Sequence, residues 1–256
     1  AVAADRDSLK NLSAAFYRRF AAEDLHGRSV DDLYGCLYHL LRYMRDWAGL
    51  EPKVSFFNPE LQTHGWESSN TVLAIVCRGI PFVTASLRGE INRRNLPIHI
   101  IASSNLAVRR SPQGTLLEVL GHSEESRRDC SSEAMVYFEL ARHSRPQDLD
   151  ELKQTLLEIL AEVALVVDDF PSMVERLDEV ADVIRGSECV ADELREEAAQ
   201  FLGWLRQQHL TMLGYEYLIV EGTGRNKVIR TCEESRLVLL RGRDTRGVAD
   251  LEADLS

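Results

Sequence analysis

Seven consecutive residues, Thr71-Val72-Leu73-Ala74-Ile75-Val76-Cys77, are apolar on both alternations of an extended chain. A strand with one face in water alternates apolar with polar residues, so this segment calls for a central strand covered on both faces. Arg78-Gly79-Ile80-Pro81 ends it. Pro81 suits a first helical turn, where its missing N–H costs nothing, and Val83, Leu87 and Ile91 at spacings of four predict a helix running to about Arg94. Asn95-Leu96-Pro97 stops that helix. Residues 98–108 return as a long strand, expected to pair beside the first through a right-handed crossover and so complete a β-α-β unit.

On the N-terminal side, two amphipathic helices are expected. The second begins at Ser29, whose hydroxyl can cap it while Asp31 and Asp32 complement its positive end. Val30, Leu33, Tyr34, Leu37, Leu41 and Met44 form its apolar stripe, and it ends near Trp47. Val54-Ser55-Phe56-Phe57 before Asn58-Pro59 reads as a short strand entering a turn.

Beyond the β-α-β unit, Ser111-Pro112-Gln113-Gly114 is a turn, residues 115–120 a strand, residues 121–132 a polar loop and residues 134–140 another strand. Asp148 with Glu151 resembles a capping box, and behind it Leu149, Leu152, Leu156, Leu160, Val163 and Val167 give a helix expected to pack back on the sheet. Residues 171–209 read as a helical connector broken at Gly186-Ser187. Three short strands follow, at 215–220, 228–231 and 237–240, with Gly222-Thr223-Gly224 as the hairpin turn between the first two.

Composition narrows the function classes. With 30 Lys+Arg against 41 Asp+Glu the formal charge is -11, which repels a phosphate backbone and argues against a nucleic-acid partner. The cysteines Cys36, Cys77, Cys130, Cys189 and Cys232 are far apart in sequence and odd in number, as reduced thiols of a cytoplasmic protein would be. No apolar run approaches the ~20 residues that cross a bilayer, and the first ten residues lack the apolar centre of a signal peptide, so neither secretion nor a membrane span is expected. A chain that starts without methionine and stops at Leu255-Ser256 in a charged stretch reads as an excised piece of something longer.

Signatures of catalysis are missing. None of the seven histidines has a partner at metal-ligand spacing. Gly222-x-Gly224 carries Lys227 where a dinucleotide fingerprint needs its third glycine, so no cofactor site is expected in this segment. Asp168-Asp169 and Glu196-Glu197 are adjacent on helices, point about 100° apart and read as solvated faces. The single candidate ligand site is the strand-to-helix turn Arg78, Gly79, Ile80, Pro81 and Phe82, where backbone N–H groups at a helix start can receive a carboxylate and Arg78 can add a bidentate contact. Gly79 and Pro81 are equally what a tight turn demands by geometry alone.

Several stretches resemble one family. Gly27-Arg28-Ser29-Val30-Asp31-Asp32-Leu33-Tyr34, Phe57-Asn58-Pro59 with Gly65-Trp66, Ile80-Pro81-Phe82-Val83, Glu90-Ile91-Asn92-Arg93-Arg94, and Phe201-Leu202-Gly203-Trp204-Leu205 ending in Leu213-Gly214-Tyr215 look, in order and spacing, like the N-terminal region of the large bacterial NAD-specific glutamate dehydrogenases. The resemblance implies an ACT-like module and a parent enzyme that oxidises L-glutamate with NAD to 2-oxoglutarate and ammonia in a domain far downstream. ACT modules place an amino-acid ligand at the turn after the first strand, which maps onto Arg78 to Phe82. The usual acidic residue followed by Pro-Gly is replaced there by Arg78-Gly79-Ile80-Pro81-Phe82.

The expected fold is therefore α+β: an ACT-like, ferredoxin-like βαββαβ sheet whose fourth strand is not evident, with flanking N-terminal helices and a helical connector into a second small β region. The domain limits are 1–50 for the N-terminal helices, 51–168 for the ACT-like module, 169–210 for the connector and 211–256 for the start of the second β-rich region. The expected function is regulation or assembly of the parent dehydrogenase. The alternatives are a purely structural oligomerisation scaffold and a free-standing amino-acid-binding ACT module. Expected partners are downstream domains of the same polypeptide, further copies in a homo-oligomer and an amino-acid effector.

Overall fold

Local sequence sets the helical entry to the sheet. The computed structural model describes residues 2–47, 51–121, 129–145, 149–189, 191–222 and 228–241, and divides into two units, Ala1–Ala161 and Glu162–Ser256. In the first unit, α1 (Val2–Tyr17) buries Leu12 and Phe16, α2 (Ala22–Leu25) is a single turn, and α3 (Val30–Arg45) starts at the expected cap, Ser29 Oγ accepting from the Asp32 amide at 3.0 Å. The buried face of α3 is Gly35, Cys36, Leu37, Leu40, Leu41, Tyr43 and Met44. Val30 and Tyr34, assigned to the core from their spacing, lie outside it, 80% and 57% exposed. The helix is rotated so that Gly35 meets Gly65 and Trp66, and Val30, Tyr34 and Tyr38 fall on the row beside the buried one.

The sheet has the order β1 (Lys53–Phe57), β2 (Thr71–Arg78), β5 (Ser131–Leu140), β3 (Ile98–Arg110), β4 (Leu116–Val119), and every neighbouring pair is antiparallel. Residues 71–77 of β2 are all buried, as the unbroken apolar run requires. The expected pairing of β3 beside β2 is not found: β5 lies between them, with Val136 opposite both Ile75 and Ser103. A crossover helix leaves room for an intervening strand, and β5, itself apolar on both alternations, completes hydrogen-bond ladders on both its edges. The other edge of β2 is taken by β1, which precedes the β2–α5–β3 unit in the chain.

One sheet face presents Val72, Ala74, Val76, Ile100, Ala102, Leu106, Val108, Met135 and Tyr137 to a core shared with Leu12, Phe16, Leu40, Leu41 and Met44 of α1 and α3. Each Val, Leu, Ile, Phe or Met side chain among them contributes roughly 1.5–3 kcal/mol on burial, and the alanines less. Leu73, Ile75, Val136 and Phe138, of opposite parity, are equally buried on the second face. There α5 (Val83–Arg93) buries Val83, Leu87 and Ile91, and Thr84 Oγ1 donates to Ser103 Oγ at 2.7 Å. Pro81 is not in the first helical turn as expected; α5 begins two residues later, behind Phe82, whose φ of 67° is left-handed. The first turns of α6 (Asp150–Arg185) bury Leu152, Leu156 and Leu160 and are tied to α5 by Arg94, which donates to Thr155 at 3.0 Å. The capping position Asp148 lies outside the described residues.

In the second unit α6 continues through Pro171 to Arg185, where the sequence suggests a fresh helix start. The proline removes one backbone donor, a local cost of about 3 kcal/mol, in a helix that buries Met173 and Ala181 further along. After α7 (Asp192–Trp204) and a π-helical turn (Leu205–His209), β6 (Gly214–Glu221) and β7 (Val228–Val238) form their own antiparallel ladder. The two strands expected at 228–231 and 237–240 are one: Ser235 Oγ accepts from the Tyr217 amide at 2.8 Å where the register shifts, carrying β7 on to Val238. Thr223 and Gly224 of the expected hairpin turn lie outside the described residues. Among the described residues no helix is long and apolar enough to cross a membrane.

Candidate functional site

The turn from Arg78 to Phe82 is shaped by a close approach. The Gly79 amide donates to the Ser132 carbonyl at 2.9 Å, extending the β2–β5 ladder by one residue, and the Ile80 amide donates to the Arg78 carbonyl at 3.0 Å. A Cβ on Gly79 would collide with Ser132 Oγ and stand 3.0 Å from the Ser132 carbonyl carbon. Glycine is thus required by packing. Phe82, half exposed at 52%, holds a left-handed backbone that is a genuine outlier for a bulky residue.

The five residues do not gather around one space. Arg78 alone lies on the wall of a cleft of about 410 Å³, with Trp47, Arg110, Ser132 and Glu133. The buried Arg110 guanidinium donates to both Glu133 oxygens at 2.6 and 2.9 Å, to the carbonyls of Trp47 at 2.7 Å and Gly114 at 2.8 Å, and to that of Met44 at 3.0 Å. It also stacks 5.1 Å over the Trp47 ring. Its five N–H donors therefore all have acceptors, closing the C-terminal end of α3 onto β3 and β5. A charged residue, Glu133, at the head of the apolar run of β5 is the sequence signal that sequence reading passed over.

A second constellation sits at the opposite end of β5. The Glu139 side chain is fully buried; it accepts from Arg28 Nη2 at 3.0 Å, Asn70 Nδ2 at 2.8 Å and Tyr137 Oη at 2.7 Å, and Arg28 Nη1 lies 2.8 Å from its other oxygen. Burial alone would raise the Glu139 pKa, but the hydrogen bonds from Arg28, Asn70 and Tyr137 hold it below the usual carboxylate range. Beside it, burial pushes the Cys36 thiol up to about 12 and keeps Tyr17 and Tyr137 protonated. Arg28, Asn70 and Glu139 form one wall of a cavity of about 650 Å³, rimmed by Asp32, Glu60, Glu67 and Arg142. Arg28 stands within the family-like stretch Gly27 to Tyr34, but nothing local in the sequence connects it to a glutamate 111 residues away.

His39 packs 4.8 Å from the Phe57 ring and 5.2 Å from that of His64. Burial, then the neighbouring His64, Arg42 and Lys53, lower its pKa to about 4. Among the described residues no group of three or more His, Cys, Asp or Glu is placed to hold a metal ion. Asp169, read from the sequence as solvated, is instead largely buried, accepting from the Val238 amide at 3.0 Å and pairing with Arg241 at 2.9 Å. It anchors the end of β7 to α6.

The family model described as glutamate dehydrogenase, ACT1 domain, matches residues 12–156. The chain is 35% identical over 230 residues to the NAD-specific glutamate dehydrogenase of Halomonas elongata, covering 88% of this chain and 14% of that protein. Over 203 residues it is 33% identical to the NAD-specific glutamate dehydrogenase of Pseudomonas aeruginosa, covering 78% of this chain and 12% of that one. It spans only a small fraction of the length of the curated relatives it matches.

Proposed function

Because the chain belongs to the ACT1-domain family of the glutamate dehydrogenases, we propose that it is a non-catalytic regulatory and assembly segment from the N-terminal part of a large NAD-dependent glutamate dehydrogenase. In this reading the parent enzyme converts L-glutamate, NAD and water to 2-oxoglutarate, ammonia and NADH, with both the chemistry and the NAD site in a downstream domain. The observation that carries it is the match over residues 12–156, which spans nearly all of the first unit's sheet and helices. The sheet supports a ferredoxin-like reading in which β1 takes the edge place of the missing fourth strand. The segment works among cytoplasmic partners, the downstream domains and further copies of itself.

The amino-acid effector site of this reading is the turn Arg78, Gly79, Ile80, Pro81 and Phe82. Strain at Phe82 supports it, since backbone outliers of this kind collect at ligand contacts. One observation favours the purely structural scaffold instead: the Gly79 and Ile80 amides are already committed to Ser132 and Arg78. A thermal-shift panel of free amino acids and NAD, on this chain with and without Arg78→Ala, separates the two. The effector reading expects one amino acid to stabilise the chain, by roughly 2.7 kcal/mol at ~100 times its dissociation constant, with loss of the shift in Arg78→Ala. NAD should give no shift, and glutamate with NAD should give no NADH. An amino-acid shift that survives Arg78→Ala removes the turn as the site.

A further inference from the structure

Glu133 and Glu139 are carried by the same face of β5, and each buried carboxylate is paired with an arginine. The two pairs differ in what the arginine has left. Arg110 is 9% exposed, with every one of its donors placed on a protein acceptor, so that pair is closed. Arg28 spends Nε on the Asp24 carbonyl at 2.9 Å and one Nη2 hydrogen on Glu139, while its Nη1 stands 2.8 Å from the other Glu139 oxygen as an ion-pair contact. Two of the five N–H donors of a guanidinium remain, on a side chain 24% exposed and lining the 650 Å³ cavity. A buried ion pair is by itself weak evidence of stabilisation, because apolar residues of similar volume often serve as well or better.

The rest of the wall has complementary chemistry. Arg142, exposed on the rim, commits one Nη1 hydrogen to the Ser68 carbonyl at 2.7 Å, and its other donors have no acceptor among the described residues. Asp32 is occupied, its two oxygens taken by Ser29 Oγ and the Glu67 amide, whereas the Glu60 and Glu67 carboxylates have no partner among the described residues. Two guanidiniums with spare donors and two unengaged carboxylates thus share one cavity, whose volume lies in the range of small-molecule sites. We infer that this cavity binds a small zwitterion, its carboxylate held by Arg28 and Arg142 and its ammonium by Glu60 and Glu67. The site lies at the start of β2, about 25 Å along the strand from Arg78 by the rise of an extended chain, and so does not depend on the turn read above as an effector site.

The test titrates the 256-residue chain with each protein L-amino acid by thermal shift and calorimetry, with propionate and ethylammonium as probes bearing only one of the two charges. At least one amino acid is expected to bind, and neither single-charge probe. Arg142→Ala and the double variant Glu60→Gln/Glu67→Gln, all at exposed positions, are expected to keep the unliganded melting temperature and to weaken binding at least about tenfold. Binding lost in Arg78→Ala but kept in the cavity variants overturns this site and leaves the turn reading standing. Propionate binding as well as the amino acid overturns the zwitterion, and no binding by any probe overturns both sites.

Discussion

His39 illustrates how a single side chain records its surroundings. Its ring meets both Phe57 and His64, which also stack on each other, on a helix face that also carries Arg42; burial and neighbouring positive charge both oppose protonation, taking its pKa from 6.5 to about 4. The unfolded chain therefore binds a proton at this position before the folded one does. Its contribution to stability is complete above pH 6.5 and is lost as pH falls towards 4. The expected result is that urea-unfolding free energies of His39→Gln vary less across that window than those of the parent chain. Equal slopes in the two proteins would show that His39 is not held neutral by the fold. At Glu139, in contrast, burial and charge oppose each other, and hydrogen bonds from Arg28, Asn70 and Tyr137 stabilise the anion where burial alone would not.

Elements meet where side chains are small enough to let them. Gly35 sits in the middle of α3 against the Gly65 carbonyl, and a Cβ built on it would lie 2.9 Å from the Trp66 Cβ and overlap that carbonyl. Alanine normally favours a helix over glycine by roughly 1 kcal/mol. Here that gain is outweighed, since Trp66 is only 1% exposed and packed in the core and cannot retreat without moving α3. Gly35→Ala is expected to destabilise the chain by about 1–3 kcal/mol, read as a lower urea midpoint with an unchanged slope. A neutral or stabilising result would mean that α3 slides along the sheet at little cost. Patterning predicted α3 and its cap correctly but placed Val30 and Tyr34 inside, because a 3.6-residue period allows neighbouring rows to be chosen and only this glycine contact selects between them.

At the scale of the whole chain, most charge lies outside the core, and the buried carboxylates Glu133 and Glu139 are each paired with an arginine. A formal charge of -11 is carried on the surfaces of two units, each with its own buried residues. Much of the basic complement is drawn into ion pairs, with Arg28, Arg94 and Arg110 each facing a glutamate. Little positive field remains to release counterions from a phosphate backbone. No mobility shift of duplex DNA or single-stranded RNA is therefore expected with micromolar protein at 150 mM salt. A complex whose affinity falls steeply with added salt would reveal a basic surface formed in another way.

Local patterns were sufficient for the apolar strand at 71–77, the Ser29 cap, the break at Gly79 and the family, which was legible in short strings distributed along the chain. Of the candidate site, the sequence indicated a turn that glycine must occupy and an arginine at its edge. It did not reveal that β5 separates β2 from β3, that α6 runs on through Pro171, or that Arg28 reaches Glu139 beside a cavity. The reason is physical: periodicity and turn chemistry report whether a residue is buried and how its own backbone bends. Ladder partners and ion pairs are chosen by packing between segments far apart in the chain, and Glu139, an acid in an apolar run, acquires a role only when Arg28, Asn70 and Tyr137 close around it.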